Sequence, residues 1–155
     1  MSQEQRHESA LERADRNWEE LLGELRVTQT GVAILFSVLL TVPFTARFDS
    51  VTPSQRGVYL TALLLSAATT VTLIAPIAYH RMLFSTGHKP ALVHVANRLA
   101  RLGLVLLCLT LGAVLLLVTG VLLDGAGAIV LAVAFTISTA LLWFVPPLVL
   151  RGPPR

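Results

Sequence analysis

Gln29, Ala33, Ser37, Thr41 and Thr45 recur every four residues inside an uncharged stretch from Val27 to Ala46. An amide followed by hydroxyls at helical spacing can replace part of an ion's hydration shell and line a narrow polar path. The same small side chains can instead let two helix backbones approach closely. Four residues turn an α-helix through about 400°, so the row drifts about 40° per step and a straight path would meet only part of it. Gln29, Ser37, Thr41 and Thr45 are the candidate polar pathway for a monovalent ion, and the drift favours helix packing. Similar rows occur at Ala62, Ser66 and Thr70, and at Ala128, Ala132, Thr136 and Ala140.

The second group with chemical potential is charged. Glu24, Arg26, His80, Arg81, Asn97, Arg98 and Arg101 border the uncharged stretches. Folded as helices, they reach one membrane depth and form a candidate charge cluster. Glu24 is the carboxylate nearest the bilayer, and Arg81, Arg98 and Arg101 are its expected partners. At that depth the effective dielectric lies below that of water, so pairing would count for more than on an open surface.

Other chemistries lack their residues. His80, His88 and His94 have no i,i+4 ligand spacing and no neighbouring Cys to complete a metal site. Cys108 is the single cysteine, so no intrachain disulfide exists and no sequence neighbour activates it. No phosphate-binding loop, dinucleotide fingerprint or nucleophile elbow occurs. No enzyme activity, cofactor or metal is expected. The net charge of +3 reflects basic residues at membrane edges, and no nucleic-acid partner is expected.

The elements that hold these groups follow from hydropathy. Uncharged stretches cover residues 27–46, 57–79, 102–123 and 126–150. Each reaches or passes the ~20 apolar residues needed to cross the hydrocarbon. In lipid the backbone must satisfy its own hydrogen bonds, so these stretches are helices. The expected fold is an all-α four-transmembrane-helix bundle, residues 27–155, with an N-terminal amphipathic cytoplasmic helix over residues 1–26.

In that first segment Leu11, Ala14, Trp18, Leu21 and Leu25 make one apolar stripe, begun by a weak Ser2–Gln5 capping box. The segment carries seven acids and four Arg, hence a net −3. Lipid-surface helices are usually basic, so docking against protein is expected. No Pro separates it from the first span; Gly23 is the one weak point, and the helix either continues or bends there. Its docking surface is a helical hairpin over residues 80–101, with a turn at Ser85–His88 and Pro90 opening the next helix. Thr52-Pro53-Ser54-Gln55 combines an N-cap, Pro at the first helical position and a capping-box Gln, so the second span starts near Pro53. Pro76 kinks the second span or frees the carbonyl near Thr72, and Pro146-Pro147 end or bend the fourth.

Orientation follows from the basic residues. Ten of the twelve (Arg6, Arg13, Arg16, Arg26, Arg81, Lys89, Arg98, Arg101, Arg151 and Arg155) flank the spans on one side. Arg47 and Arg56 are on the other, and the Asp124-Gly125 turn adds none. Both termini are therefore expected in the cytoplasm of a multi-pass protein of the cell (inner) membrane. The long acidic leader has no cleavage site expected of a signal peptide.

The run from Leu21 to Val32, then Ile34-Leu35-Phe36, Leu39-Leu40 and Pro43-Phe44, resembles the opening of a mainly actinobacterial family of small four-span membrane proteins of unknown function. Gln55-Arg56, Tyr59, the run Ala75 to Arg81 and Ala96-Asn97-Arg98 fit the same resemblance, which covers most of the chain. Its members are often labelled sodium:proton antiporter, which implies transport. Proton–sodium exchange usually uses a carboxylate at membrane depth, and none of the four spans contains Asp or Glu. The expectation is a homo-oligomeric ion channel or transporter in the lipid bilayer. The alternative is a regulatory or structural membrane protein that binds a partner or lipid through its charged cytoplasmic helices.

Overall fold

The computed structural model of the chain describes residues 10–83, 89–123 and 126–150 and is all-helical there. Helix α1 spans Ala10–Thr41 without a break, so the N-terminal amphipathic segment continues into the first span. Gly23 does not bend it out of helical geometry, since one mid-helix Gly costs only about 1 kcal/mol against Ala. Two 3-10 turns follow, Val42–Phe44 and Phe48–Ser50. Helix α2 spans Pro53–Leu83, α3 spans Lys89–Leu122 and α4 spans Ala126–Leu150. Four helical segments are long and apolar enough to cross a membrane: Glu19–Phe44, Pro53–Tyr79, His94–Leu122 and Ala126–Val149. Four such crossings make a multi-pass membrane protein.

The start of α2 follows the capping rule. The Gln55 side-chain oxygen accepts from Thr52 N at 3.0 Å, and Gln55 N donates to Thr52 Oγ1 at 3.3 Å. Pro53 occupies the first helical position, where its missing N–H has no partner to lose. Pro146 and Pro147 correct their expectation in part: α4 runs through both to Leu150. A membrane helix tolerates the freed carbonyls when local adjustments satisfy them. The Ser2–Gln5 cap, the turn at residues 84–88, the Asp124-Gly125 turn and the last five residues lie outside the described residues.

The four helices do not close into a ring. α2 and α3 form the most extensive contact, α1 lies against both, and among the described residues α4 touches α3 alone. The buried positions on α2 are Tyr59, Ala62, Ser66, Thr69, Leu73 and Pro76, at alternating steps of three and four. That is the 3.5-residue seam of a left-handed helix pair. On α3, Ala96, Gly103 and Thr110 recur at steps of seven, while Cys108, Gly112 and Thr119 mark a second buried face. A Cβ on Gly103 would overlap the Leu73 side chain, and one on Gly112 would overlap Thr136. Lipid tails are as apolar as Leu, so close approach at such small residues, not water exclusion, holds spans together.

Two apolar clusters fix the ends. Towards the end where α2 closes and α3 opens, Leu21 and Leu25 of α1 pack with Val32, Leu73 of α2 and Ala96 of α3. Leu21 and Leu25, the last two residues of the apolar stripe, thus pack on protein; the side chains of Leu11, Ala14 and Trp18 lie outside the described residues. At the opposite, loop end, Leu39, Tyr59 and Ala62 pack with Phe48 and Leu117.

Candidate functional site

The polar row on α1 divides between inside and outside. The buried stripe of α1 runs Leu21, Leu25, Val32 and Leu39, close to a 3.5-residue period, while the row advances by four. Gln29 is half-buried near the inner stripe, and its Nε2 donates to the Leu73 carbonyl of α2 at 2.7 Å. Three residues later in α2, Pro76 is fully buried and supplies no N–H. The amide therefore ties α1 to α2 beside the carbonyl that Pro76 leaves free at Thr72, one residue from the carbonyl it takes.

Ser37, Thr41 and Thr45 are exposed on the outside of the bundle. Their hydroxyls donate to carbonyls of their own turns: Ala33 at 2.8 Å, Val38 at 2.7 Å and Val42 at 2.7 Å. The 40° drift per step separates them from Gln29. The four side chains therefore do not line one interior path.

The interior polar groups are hydroxyls. Ser66, Thr69, Thr110 and Thr119 are buried. Thr69 and Thr110 meet across the α2–α3 seam at 3.3 Å, and each also bonds a carbonyl one turn back, Leu65 and Leu106, at 2.7 Å. Ser66 donates to Leu63 O at 3.1 Å and Thr119 to Leu115 O at 2.7 Å. All four are satisfied, which suits helix contact in hydrocarbon. Periodicity at steps of seven through Ala96, Gly103 and Thr110 carried the signal for this seam. The rows on α2 and α4 make internal contacts: Ala62 and Ser66 are buried in the bundle, and Ala128 and Ala132 are buried where α4 meets α3.

Arg26 and Asn97 adjoin Leu25 and Ala96, which share one apolar cluster, and Arg81 stands near the close of α2 and Arg98 and Arg101 near the opening of α3. Glu24, Arg26, Arg81, Arg98 and Arg101 are exposed and Asn97 is half-buried. The His80 side chain lies outside the described residues. Among the described residues no ion pair joins Glu24 to any of the arginines; the pair that forms is Arg16–Glu20, at 3.8 Å on the open surface of α1. Among the described residues the expected coupling of Glu24 to Arg81, Arg98 or Arg101 is thus not made, and these arginines are exposed. Also among the described residues, no three His, Cys, Asp or Glu side chains gather as a metal site.

A third feature had no counterpart in the sequence reading. At the loop end a cavity of about 450 Å³ lies between the two 3-10 turns, the start of α2 and the end of α3. Val42, Leu117 and Val121 form apolar walls; Arg47, Gln55 and Tyr59 are polar. Tyr59 donates to Leu39 O at 3.0 Å, and Phe48 meets its ring edge-on at 5.3 Å. Gln55 Nε2 donates to Gly120 O at 2.7 Å, tying α2 to α3.

Comparison with known proteins places this architecture. Residues 7–147 match DUF6328, a family of unknown function, and the chain belongs to it. No curated protein and no solved structure matches the chain.

Proposed function

We propose that this protein is a regulatory or structural membrane protein that binds an acidic partner or anionic lipid headgroups through its clustered arginines. The supporting observation is that Arg26, Arg81, Arg98 and Arg101, from three helices, are exposed at one end and form no ion pair among the described residues. Guanidinium groups left open in this way match carboxylate or phosphate, which they can grip bidentately. The protein sits in a bacterial inner membrane with both termini cytoplasmic, so this surface faces the cytosol. Tags at Ser2 and Arg155 should label only after permeabilisation; labelling of either in intact cells contradicts the orientation.

The binding surface is tested by photo-cross-linking in cells from benzoyl-phenylalanine placed at Val95, an exposed neighbour of Arg98. A discrete adduct should form, and its yield should fall several-fold when Arg98 and Arg101 are both changed to Gln. A yield indifferent to those charges contradicts the proposal.

A second reading, a homo-oligomeric channel or transporter, is favoured by one observation. Ala33, Ser37 and Thr41 of α1 are exposed, whereas most of the equivalent rows on α2 and α4 is packed within the protomer. A monovalent ion, such as the sodium or proton named in the label often given to similar proteins, would then cross between subunits.

A further inference from the structure

The loop-end cavity has the chemistry of a phosphate site within reach of a bilayer. Most of its polar side chains are already engaged. Thr45 Oγ1 donates to Val42 O, Ser50 Oγ to Arg47 O, and Tyr59 to Leu39 O. Gln55 is bonded at both ends of its amide, and Thr52 Oγ1 accepts from Gln55 N. Arg47 is different: it lines the cavity, and its guanidinium has no hydrogen-bond or ion-pair partner among the described residues. The neighbouring acid, Asp49, is exposed and does not line the cavity. A second guanidinium, Arg56, stands 5.5 Å from the centre of the Phe48 ring, itself part of the wall. The cavity also borders the N-terminus of α2, whose dipole favours an anion.

Position decides the source of the anion. Val42 is near the end of the first crossing segment, Leu117 and Val121 near the end of the third, and the second begins at Pro53. The site therefore lies where hydrocarbon gives way to headgroups, with apolar walls on the hydrocarbon side. A ligand that fills it needs an anionic oxygen cluster for Arg47 and an apolar continuation along Val42, Leu117 and Val121.

We propose that this cavity binds the phosphate of an anionic phospholipid such as phosphatidylglycerol, with Arg47 as its principal donor. This is a site distinct from the arginines at the opposite end and does not depend on their role.

The test uses the full-length protein in mild detergent and a phosphatidylglycerol carrying a photoreactive group near its headgroup. Adducts are mapped to peptides. Cross-linking should fall on residues 42–59, and Arg47→Gln should weaken it about tenfold, the usual scale for losing a hydrogen bond to a charged group. Arg47→Lys should retain part of the signal. Unlabelled phosphatidylglycerol should compete, while phosphatidylcholine and glycerol phosphate at equal concentration should not. Equal competition by glycerol phosphate would mean a soluble anion site, and equal competition by phosphatidylcholine a site indifferent to charge; either overturns the proposal. So does unchanged labelling in Arg47→Gln. Thermal melting of each variant separates a lost site from a lost fold.

Discussion

Gly112 stands where α3 packs against α4, and the space is already occupied. A Cβ there would overlap Thr136 Oγ1, which is held in place by its 2.7 Å bond to Ala132 O. Gly112→Ala should therefore force the helices apart and cost about 1–3 kcal/mol, the range for overpacking. Gly31 is the control, with no atom within 4 Å of its would-be Cβ. Gly31→Ala should be neutral or gain up to about 1 kcal/mol of helix propensity. Thermal melting of both variants in one detergent checks the contrast, and equal effects would show that the Gly112 contact does not hold α4. At the same scale, the row at Gln29, Ser37, Thr41 and Thr45 divides between inside and outside. Composition makes it look continuous, but a step of four outruns the helix period, so Gln29 bonds α2 and the three hydroxyls turn outward.

At the scale of elements, α4 depends on one neighbour. It packs on α3 through Ala128, Ala132 and Thr136, and the Cys108 thiol lies beneath it, 3.6 Å from Thr136 O. Because Cys108 is the single cysteine, its alkylation reports on this interface. Ala132→Leu should lift α4 and raise the rate of N-ethylmaleimide labelling in detergent several-fold. Leu142→Ala, at a side chain 71% exposed, should leave the rate unchanged. Similar rates in all three proteins would contradict the one-sided docking of α4. The crossing segments themselves were legible in the sequence, because length and the lack of charge are sufficient signals in lipid. So was the start of α2, where Thr52, Pro53 and Gln55 act locally. Which face of each span turns inward was less legible. Leu142 and Val130 are exposed and Leu73 is buried, yet all are equally apolar. In a bilayer both faces meet hydrocarbon, so hydropathy draws no stripe and only the small residues mark the contacts. Gly103, Gly112 and Thr110 are such marks. The loop-end cavity was illegible for another reason: its walls come from four separate segments that no local pattern links.

At the scale of the whole molecule, α1, α2 and α3 form the centre and α4 is attached at one side. The chain presents exposed Val, Leu, Ile and Phe along every span, as a protein surrounded by lipid must. Its interior holds satisfied hydroxyls, and its spans contain no Asp or Glu. Exchange of protons for cations through one chain would need a titratable group at that depth. Among the described residues, arginines without an ion pair stand towards both ends, Arg26, Arg81, Arg98 and Arg101 at one and Arg47 at the loop cavity. The central claim is therefore that the protein works by binding at its membrane edges and not by passing ions through its core. The direct measurement is sodium, potassium and proton flux into liposomes reconstituted with the purified protein, under imposed ion and pH gradients. The account predicts rates equal to those of protein-free liposomes at every protein-to-lipid ratio. Flux that rises with protein content and is abolished by Ser37→Leu would contradict it, and would place an ion path along the exposed row of α1.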